Sequence, residues 1–276
     1  MYRRKHMEYT MSLPTLIVLG LNLLLGFALP IALFILLRGK FICDIKPFVA
    51  GASAMIVFSI GLKILMGTLF LPTEAGQFIL NRPWLYCLFL AALAALIHEP
   101  GRYLFNRFFL RGEMWNDGNA LMFGAGYASL ELISMALMSS VSDFQMALLI
   151  YQGNAASILE SLSGIALENA EVALASLCST STMDFVLVTV QQCIGALGHM
   201  ALAVLVWFAV KHKKLKYLGM AMGFGCLIEL GLNLVGSYSS EGLLVVLVYG
   251  VLTAGAVYMA KKVWDEEFVD AFAEDQ

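Results

Sequence analysis

Charged side chains are scarce in this 276-residue sequence, and long stretches contain none at all. Only 13% of the residues are Asp, Glu, Lys or Arg, whereas 60% are hydrophobic. A soluble domain averages about 25% charged and 45–50% apolar residues, so a soluble fold that fills the chain is excluded. No basic patch indicates nucleic-acid binding. The composition therefore predicts a multi-pass protein of the cell membrane, with the lipid bilayer around it and no nucleic-acid partner.

Cysteine is also scarce, and its few positions are dispersed along the chain. The sequence has five cysteines, an odd number, and no Cys-x-x-Cys pair among them. This pattern excludes a disulfide framework and a thiolate metal site. We expect the five thiols to pack as small apolar side chains inside helices. They are Cys43, Cys87, Cys178, Cys193 and Cys226.

Hydrophobic segments, in contrast, are abundant, and seven of them reach the roughly 20 residues that a bilayer span needs. We predict an all-α polytopic membrane protein with a single integral domain over residues 1–276. Residues 138–182 are predicted as an external loop with short surface helices, because their apolar runs are too short to span. Residues 265–276 are predicted as an acidic, partly disordered cytoplasmic tail. The predicted spans are about 13–37, 47–71, 84–110, 119–137, 185–210, 218–235 and 243–260.

Lysine and arginine are unevenly divided between the two sides of these spans. The side that holds the C-terminus carries twelve of them, and the other side carries Arg3, Arg4, Lys5 and Arg82. Because cytoplasmic loops are enriched in basic residues, we predict a cytoplasmic C-terminus and an external N-terminus. Lys63 lies inside the second span and is predicted to extend its ammonium group to the interface.

Four ionisable side chains lie at about one depth within the predicted spans. Glu99, Glu131, His199 and Glu229 are each 12 or 13 residues from the cytoplasmic end of their helix. That separation is roughly 18–20 Å at the rise of an α-helix. Charge in the bilayer costs about 2.5–3.5 kcal/mol per residue, so such groups usually pair or carry a function. The sequence therefore predicts one polar site in the cytoplasmic half.

The residue types at this depth suggest hydrolytic chemistry. Glu131, His199 and Glu229 offer two carboxylates and one imidazole, which suit zinc with a fourth position open for water. Glu99 is then the candidate general base, since a carboxylate near a metal-bound water can take its proton. Arg102 follows Glu99 by three residues on the same helix face and is predicted to pair with it. Each residue also has a structural interpretation, as an ion pair or helix–helix contact, and both stay open.

These residues lie in four segments that resemble the YhfC family of intramembrane metalloproteases, a distant relative of the CAAX-processing and PrsW-type proteases. The segments read HEPGRYLFNRFFLR, NALMFGAGYASLE, GHMALAVLV and IELGLN, in the family's order. Three positions depart from the family's motifs. His98 replaces the first acid of Glu-Glu-x-x-Arg, Tyr127 replaces a histidine, and Glu229 stands where another histidine is expected.

The resemblance implies an enzyme that hydrolyses a peptide bond within or next to the membrane, in a transmembrane or lipidated protein. Its implied catalytic residues are Glu99 as the base, His98 beside it, Arg102 to orient Glu99, and Asn233 as a donor to the developing oxyanion. The implied metal ligands or water-positioning groups are Glu131, His199 and Glu229.

The three departures leave a second interpretation open, in which the protein is a catalytically inactive relative, a pseudoprotease. Such a protein would bind the transmembrane segments of partners without cutting them. A third interpretation is a proton-coupled transporter, because chains of carboxylates and histidines also relay protons. The sequence shows no inverted repeat or paired broken helices, which argues against a transporter.

Overall fold

The computed structural model describes residues 9–160, 162–239 and 241–274, and within these ranges the chain forms helices and no β-strand. The basic triplet Arg3, Arg4 and Lys5, predicted to be external, lies outside the described residues. The helices are α1 (Leu13–Phe41), α2 (Ile45–Phe70), α3 (Glu74–Leu80), α4 (Pro83–Phe109), α5 (Gly118–Tyr151), α6 (Ala155–Glu160), α7 (Gly164–Ser179), α8 (Thr182–Lys211), α9 (Leu215–Tyr238) and α10 (Gly242–Glu274).

Seven helices in the described part of the chain are long and apolar enough to cross a membrane. They are α1, α2, α4, α5, α8, α9 and α10. Each coincides with one of the seven segments expected from hydrophobicity. The prediction of an all-α, multi-pass membrane protein is therefore confirmed.

Two helices continue beyond their predicted ends. α5 runs through a π-helical turn at Ala136–Ser140 to Tyr151, so its second half occupies residues that were predicted as an external loop. The hydroxyl of Ser139 donates to the carbonyl of Met135 at 2.9 Å, which satisfies the polar side chain within the helix. α10 likewise continues through residues 265–274, where a partly disordered tail was predicted. Lys261 and Asp265 pair across one turn at 2.7 Å there and support the helix.

The chain divides into two compact units. The first unit comprises Met1–Ala28 and Ile133–Thr189, and the second comprises Leu29–Leu132 and Val190–Gln276. In the first unit, the hydroxyls of Thr15 and Thr182 hydrogen bond at 2.7 Å, so the start of α1 is tied to the start of α8. The apolar core of this unit includes the buried side chains Leu16, Leu19, Ala147, Ile150, Leu174 and Leu177.

The second unit is built around the C-terminal half of α8, whose residues Ala201 to Ala209 are all buried. Near its end, Asp117 holds this helix in place. The carboxylate accepts from Trp207 Nε1 at 3.1 Å and from Lys211 Nζ at 2.7 and 2.8 Å. The pairing leaves neither the indole donor nor the carboxylate unsatisfied where α5 begins.

Glycines on α5 let the neighbouring helices approach closely. A Cβ atom at Gly126 would lie 1.9 Å from the carbonyl oxygen of Phe48 on α2. A Cβ atom at Gly124 would lie 2.5 Å from Cα of Met200 on α8. Small residues at such crossings are typical of membrane helix packing. They fix the positions of the residues that follow on α5, including Glu131.

We expect Gly126→Ala to lower the free energy of unfolding by about 1–3 kcal/mol, the usual cost of overpacking. The added methyl group meets backbone atoms of Phe48, which cannot rotate away. Unfolding of the purified protein in mixed micelles measures the change. Gly219→Ala is the matched control, because nothing lies within 4 Å of its Cβ position on α9. Equal stability of the two variants would contradict the close approach of α2 and α5.

All five cysteines are free thiols, and Cys43 and Cys87 are buried. Burial, with a smaller effect of the neighbouring Asp44, raises the pKa of the Cys43 thiol between α1 and α2 to about 11. Since the thiolate is the form that ligates metals, Cys43 stays a neutral packing residue at physiological pH. The expectation that all five thiols pack inside helices is wrong at two positions, because Cys43 lies between α1 and α2 and Cys193 is exposed.

Candidate functional site

Glu99 and Arg102 lie on α4 directly after a π-helical turn, Ala94–His98. The turn precedes Pro100, which has no N–H to donate to the helix, and α4 nevertheless continues to Phe109. Arg102 Nη1 lies 3.1 Å from Glu99 Oε1 and 3.3 Å from Oε2. Only 1% of the Arg102 side chain and 3% of the Glu99 side chain are exposed. The ion pair predicted from the spacing is therefore present and fully enclosed.

Arg102 also joins α4 to two other helices. Its Nη2 lies 2.7 Å from Nδ1 of His199 on α8. Its guanidinium carbon lies 3.9 Å from the ring centre of Tyr127 on α5, a cation–π contact. The Tyr127 and His199 rings are in turn 5.0 Å apart. Tyr127 thus forms the aromatic surface against which the guanidinium packs.

His199 extends the connection to Glu131. Its Nε2 hydrogen bonds to Oε2 of Glu131 on α5. The His199 side chain is 20% exposed and the Glu131 side chain 33% exposed. A continuous series of contacts therefore runs from the buried carboxylate of Glu99, through Arg102 and His199, to the partly exposed carboxylate of Glu131. We call these four residues the polar chain.

Glu229 and Asn233 lie one turn apart on α9 and contact each other. Asn233 Nδ2 donates to the carbonyl of Glu229 at 2.7 Å and to its carboxylate at 3.0 Å. Glu229 interacts electrostatically with Glu131 and His199. Glu229 therefore lies close enough to the polar chain for its carboxylate to interact with two of its members. The amide of Asn233 is directed at Glu229 in this arrangement, and its predicted role at an oxyanion stays a prediction.

Two further cationic or basic groups act on the same region. Lys63 of α2 interacts electrostatically with Glu131 and Glu229, and its predicted extension to the interface stays a prediction. His98 is half-buried and interacts electrostatically with Arg102, Lys63 and His199. The signal for Lys63 was its position inside a span, where an ionisable residue is a functional candidate by default.

The geometry does not form the ligand set expected for zinc. The described residues contain no group of three His, Cys, Asp or Glu side chains placed to hold a metal ion. Glu131 and His199 hydrogen bond to each other, and the second ring nitrogen of His199 faces Arg102. A histidine that binds a metal usually donates its other ring N–H to an acceptor, whereas here a donor occupies that position. In this arrangement the residues do not fit a zinc ion.

The two carboxylates of the polar chain have different access to a reacting molecule. Glu99 is enclosed and held by Arg102, so a water or peptide cannot reach it without movement of the helices. Glu131 is one-third exposed, and the hydrogen bond from His199 orients it. A candidate general base must come within hydrogen-bond reach of the proton it takes. By this criterion Glu131 is more accessible to a reacting molecule than Glu99, the predicted base.

Comparison with known proteins matches the region that carries this site. The profile of a family described as "YhfC intramembrane metalloprotease" matches residues 25–253. The chain is also 28% identical over 208 residues to "Uncharacterized membrane protein YhfC" of Bacillus subtilis (strain 168), covering 74% of this chain and 78% of that protein. No solved structure matches the chain. Because the family profile spans well over half of the sequence and includes the whole polar chain, the protein belongs to the YhfC intramembrane metalloprotease family.

Proposed function

We propose that the protein hydrolyses peptide bonds of substrates held within or next to the membrane. The single observation that carries this proposal is the polar chain, which presents an oriented, accessible carboxylate inside membrane-spanning helices. Membership of a family described as intramembrane metalloproteases supports it. The substrates that fit such a site are transmembrane segments or lipidated proteins, because they reach the depth of Glu131 from the bilayer.

In the proposed reaction, Glu131 accepts a proton from water while the water oxygen attacks the peptide carbonyl carbon. Glu131 then returns that proton to the peptide nitrogen as the carbon–nitrogen bond breaks. The products are a new carboxyl terminus and a new amine. Donors to the developing oxyanion lower the barrier, and the ammonium group of Lys63 and the amide of Asn233 are the candidates for that role.

Glu99 takes a different role in this proposal from the one implied by the family's motif. Its carboxylate forms an ion pair with Arg102, and Arg102 hydrogen bonds to His199. Glu99 is therefore a positioning residue that acts through two other side chains. His199 in turn orients the carboxylate of Glu131. In this proposal the four residues of the polar chain keep a part in the reaction, and the proton transfer moves from the enclosed carboxylate of Glu99 to the exposed one of Glu131.

The proposed orientation places the C-terminus of α10 in the cytoplasm, as the distribution of basic residues predicts. The site then lies nearer the cytoplasmic ends of α4 and α8, where Arg111 and Lys211 mark the interface. A cysteine added at either end of the chain and tested with a membrane-impermeant thiol reagent in whole cells would report the side.

Hydrolysis can be tested with the full chain reconstituted in liposomes together with transmembrane model peptides in water enriched in ¹⁸O. Cleavage by the wild type should give products whose new carboxyl terminus contains ¹⁸O. The double variant Glu131→Gln/His199→Gln should give none. Glu241→Gln changes an exposed glutamate outside the site and should cleave like the wild type.

The opposite result has a defined meaning. A folded wild type that yields no ¹⁸O-labelled product from any membrane peptide would contradict the proposal. Retention of the same peptides by the wild type, measured by co-purification, would then favour the pseudoprotease that binds transmembrane segments without cutting them.

A further inference from the structure

His199 has a protein partner at each of its two ring nitrogens. Nδ1 lies 2.7 Å from Arg102 Nη2, and Nε2 hydrogen bonds to Glu131. Arg102 is 1% exposed and is held by Glu99 on one side and by the Tyr127 ring on the other. The guanidinium is therefore enclosed by protein and held by contacts with Glu99 and Tyr127 as well as with the imidazole.

The chemistry of these two partners allows one form of the ring. A guanidinium carries five N–H donors, has no acceptor and is not deprotonated in proteins. Nδ1 must therefore offer its lone pair to Arg102, and the ring proton must lie on Nε2, where it is donated to the Glu131 carboxylate. A doubly protonated ring would direct an N–H at the Arg102 N–H, so that form is disfavoured as well.

We propose that Arg102 fixes His199 in the neutral tautomer protonated at Nε2, and that this tautomer keeps the site from binding zinc. The inference deepens the proposed function, on which it rests for the role of Glu131 as the base. Arg102 is in this sense a positioning residue that acts through His199. The family's description implies a metal, and the residues of this chain depart from that implication.

The incompatibility with zinc follows from the direction of both hydrogen bonds. A ligand histidine presents a lone pair to the metal and usually donates the N–H of its other nitrogen to a carboxylate or carbonyl. Around His199 the polarity is reversed, since the lone pair faces a buried donor and the N–H faces the carboxylate. Zinc at Nε2 would need the proton on Nδ1, directly against the guanidinium. It would also need Glu131 to give up its hydrogen-bond donor.

Nitrogen NMR of the full-length protein measures the tautomer directly. The protein is labelled with ¹⁵N in its histidine rings, prepared in micelles without a polyhistidine tag, and compared with His199→Gln to assign one of the four histidines. We expect a protonated Nε2 and an unprotonated Nδ1 at His199 in the wild type. Arg102→Lys keeps a cationic donor and should preserve this state, whereas Arg102→Met should shift the populations of the two tautomers. A protonated Nδ1 in the wild type, or no shift in folded Arg102→Met, would overturn the inference.

Zinc binding gives a second readout that does not depend on catalysis. After dialysis against zinc, the wild type and His199→Gln should retain the same amount of metal, measured by mass spectrometry. About one equivalent that is present in the wild type and lost in His199→Gln would overturn the inference. If the tautomer is as proposed but no peptide is cleaved, only the proposed function fails. If peptides are cleaved by a protein that requires His199-bound zinc, only the inference fails.

Discussion

Glu131→Gln is expected to lower the turnover number by about 10²–10⁴-fold, the range that general acid–base catalysis contributes. Glu99→Gln is expected to keep turnover per folded molecule within about tenfold of the wild type. Glutamine at 131 can still accept a hydrogen bond from His199, but it cannot take a proton from water. Glutamine at 99 can still accept a hydrogen bond from Arg102 through its amide oxygen, so the connection to His199 is preserved.

The contrast between these two variants decides which carboxylate performs the proton transfer. The family's motif implies that Glu99 is the base, whereas the geometry encloses Glu99 and exposes Glu131. The measurement is the rate of cleavage of one transmembrane peptide in liposomes, divided by the folded fraction of each variant. The Michaelis constant should change little for Glu131→Gln, because the variant removes an interaction of the transition state. Loss of turnover in Glu99→Gln with retention in Glu131→Gln would restore the role implied by the motif.

The spans could be predicted from the sequence because hydrophobicity over about 20 residues is a local property. Their ends could not be predicted to the same accuracy. Ser139 and its neighbours look like a loop by composition, yet the hydroxyl of Ser139 bonds to the helix backbone, and α5 continues. The helical ion pair of Lys261 and Asp265 similarly carries α10 past its apolar part. Both cases show polar side chains that are satisfied within a helix.

The grouping of Glu99, Glu131 and His199 could be expected from the sequence, but the contacts between them could not. Counting residues from the helix ends places Glu99, Glu131 and His199 at one level, and the spacing of three residues predicts the pair of Glu99 with Arg102. The reach of Arg102 to His199 depends on the rotation of α4 and α8 about their axes. Close approaches between helices set that rotation. One of them brings Gly124 of α5 against Met200 of α8, two residues that lie far apart in sequence. Residue types alone therefore predicted metal ligands at Glu131 and His199, whereas in the structure these two side chains hydrogen bond to each other within the polar chain.

The second large effect concerns stability. We expect Arg102→Met to lower the free energy of unfolding by about 3–5 kcal/mol, because removal of one partner leaves the other charge buried and unpaired. Glu99 would be that charge, with 3% of its side chain exposed. The loss includes the contact with the Tyr127 ring and the hydrogen bond to His199. Unfolding in mixed micelles, followed by helical circular dichroism, measures it against Arg111→Met, an exposed arginine that should change stability by less than about 0.5 kcal/mol.

The double variant Glu99→Met/Arg102→Met separates the unpaired charge from the other losses. Replacement of both members of a buried ion pair by apolar residues of similar volume is often close to neutral. We therefore expect the double variant to recover more than half of the stability that Arg102→Met loses. The recovered protein should still lack peptide cleavage, because His199 no longer has the donor that fixes its tautomer. A double variant as unstable as Arg102→Met would mean that Arg102 stabilises the fold through Tyr127 and His199 and not through Glu99. Recovery of both stability and cleavage would show that Glu99 and Arg102 serve folding alone. Catalysis would then need only His199 and Glu131 of the polar chain.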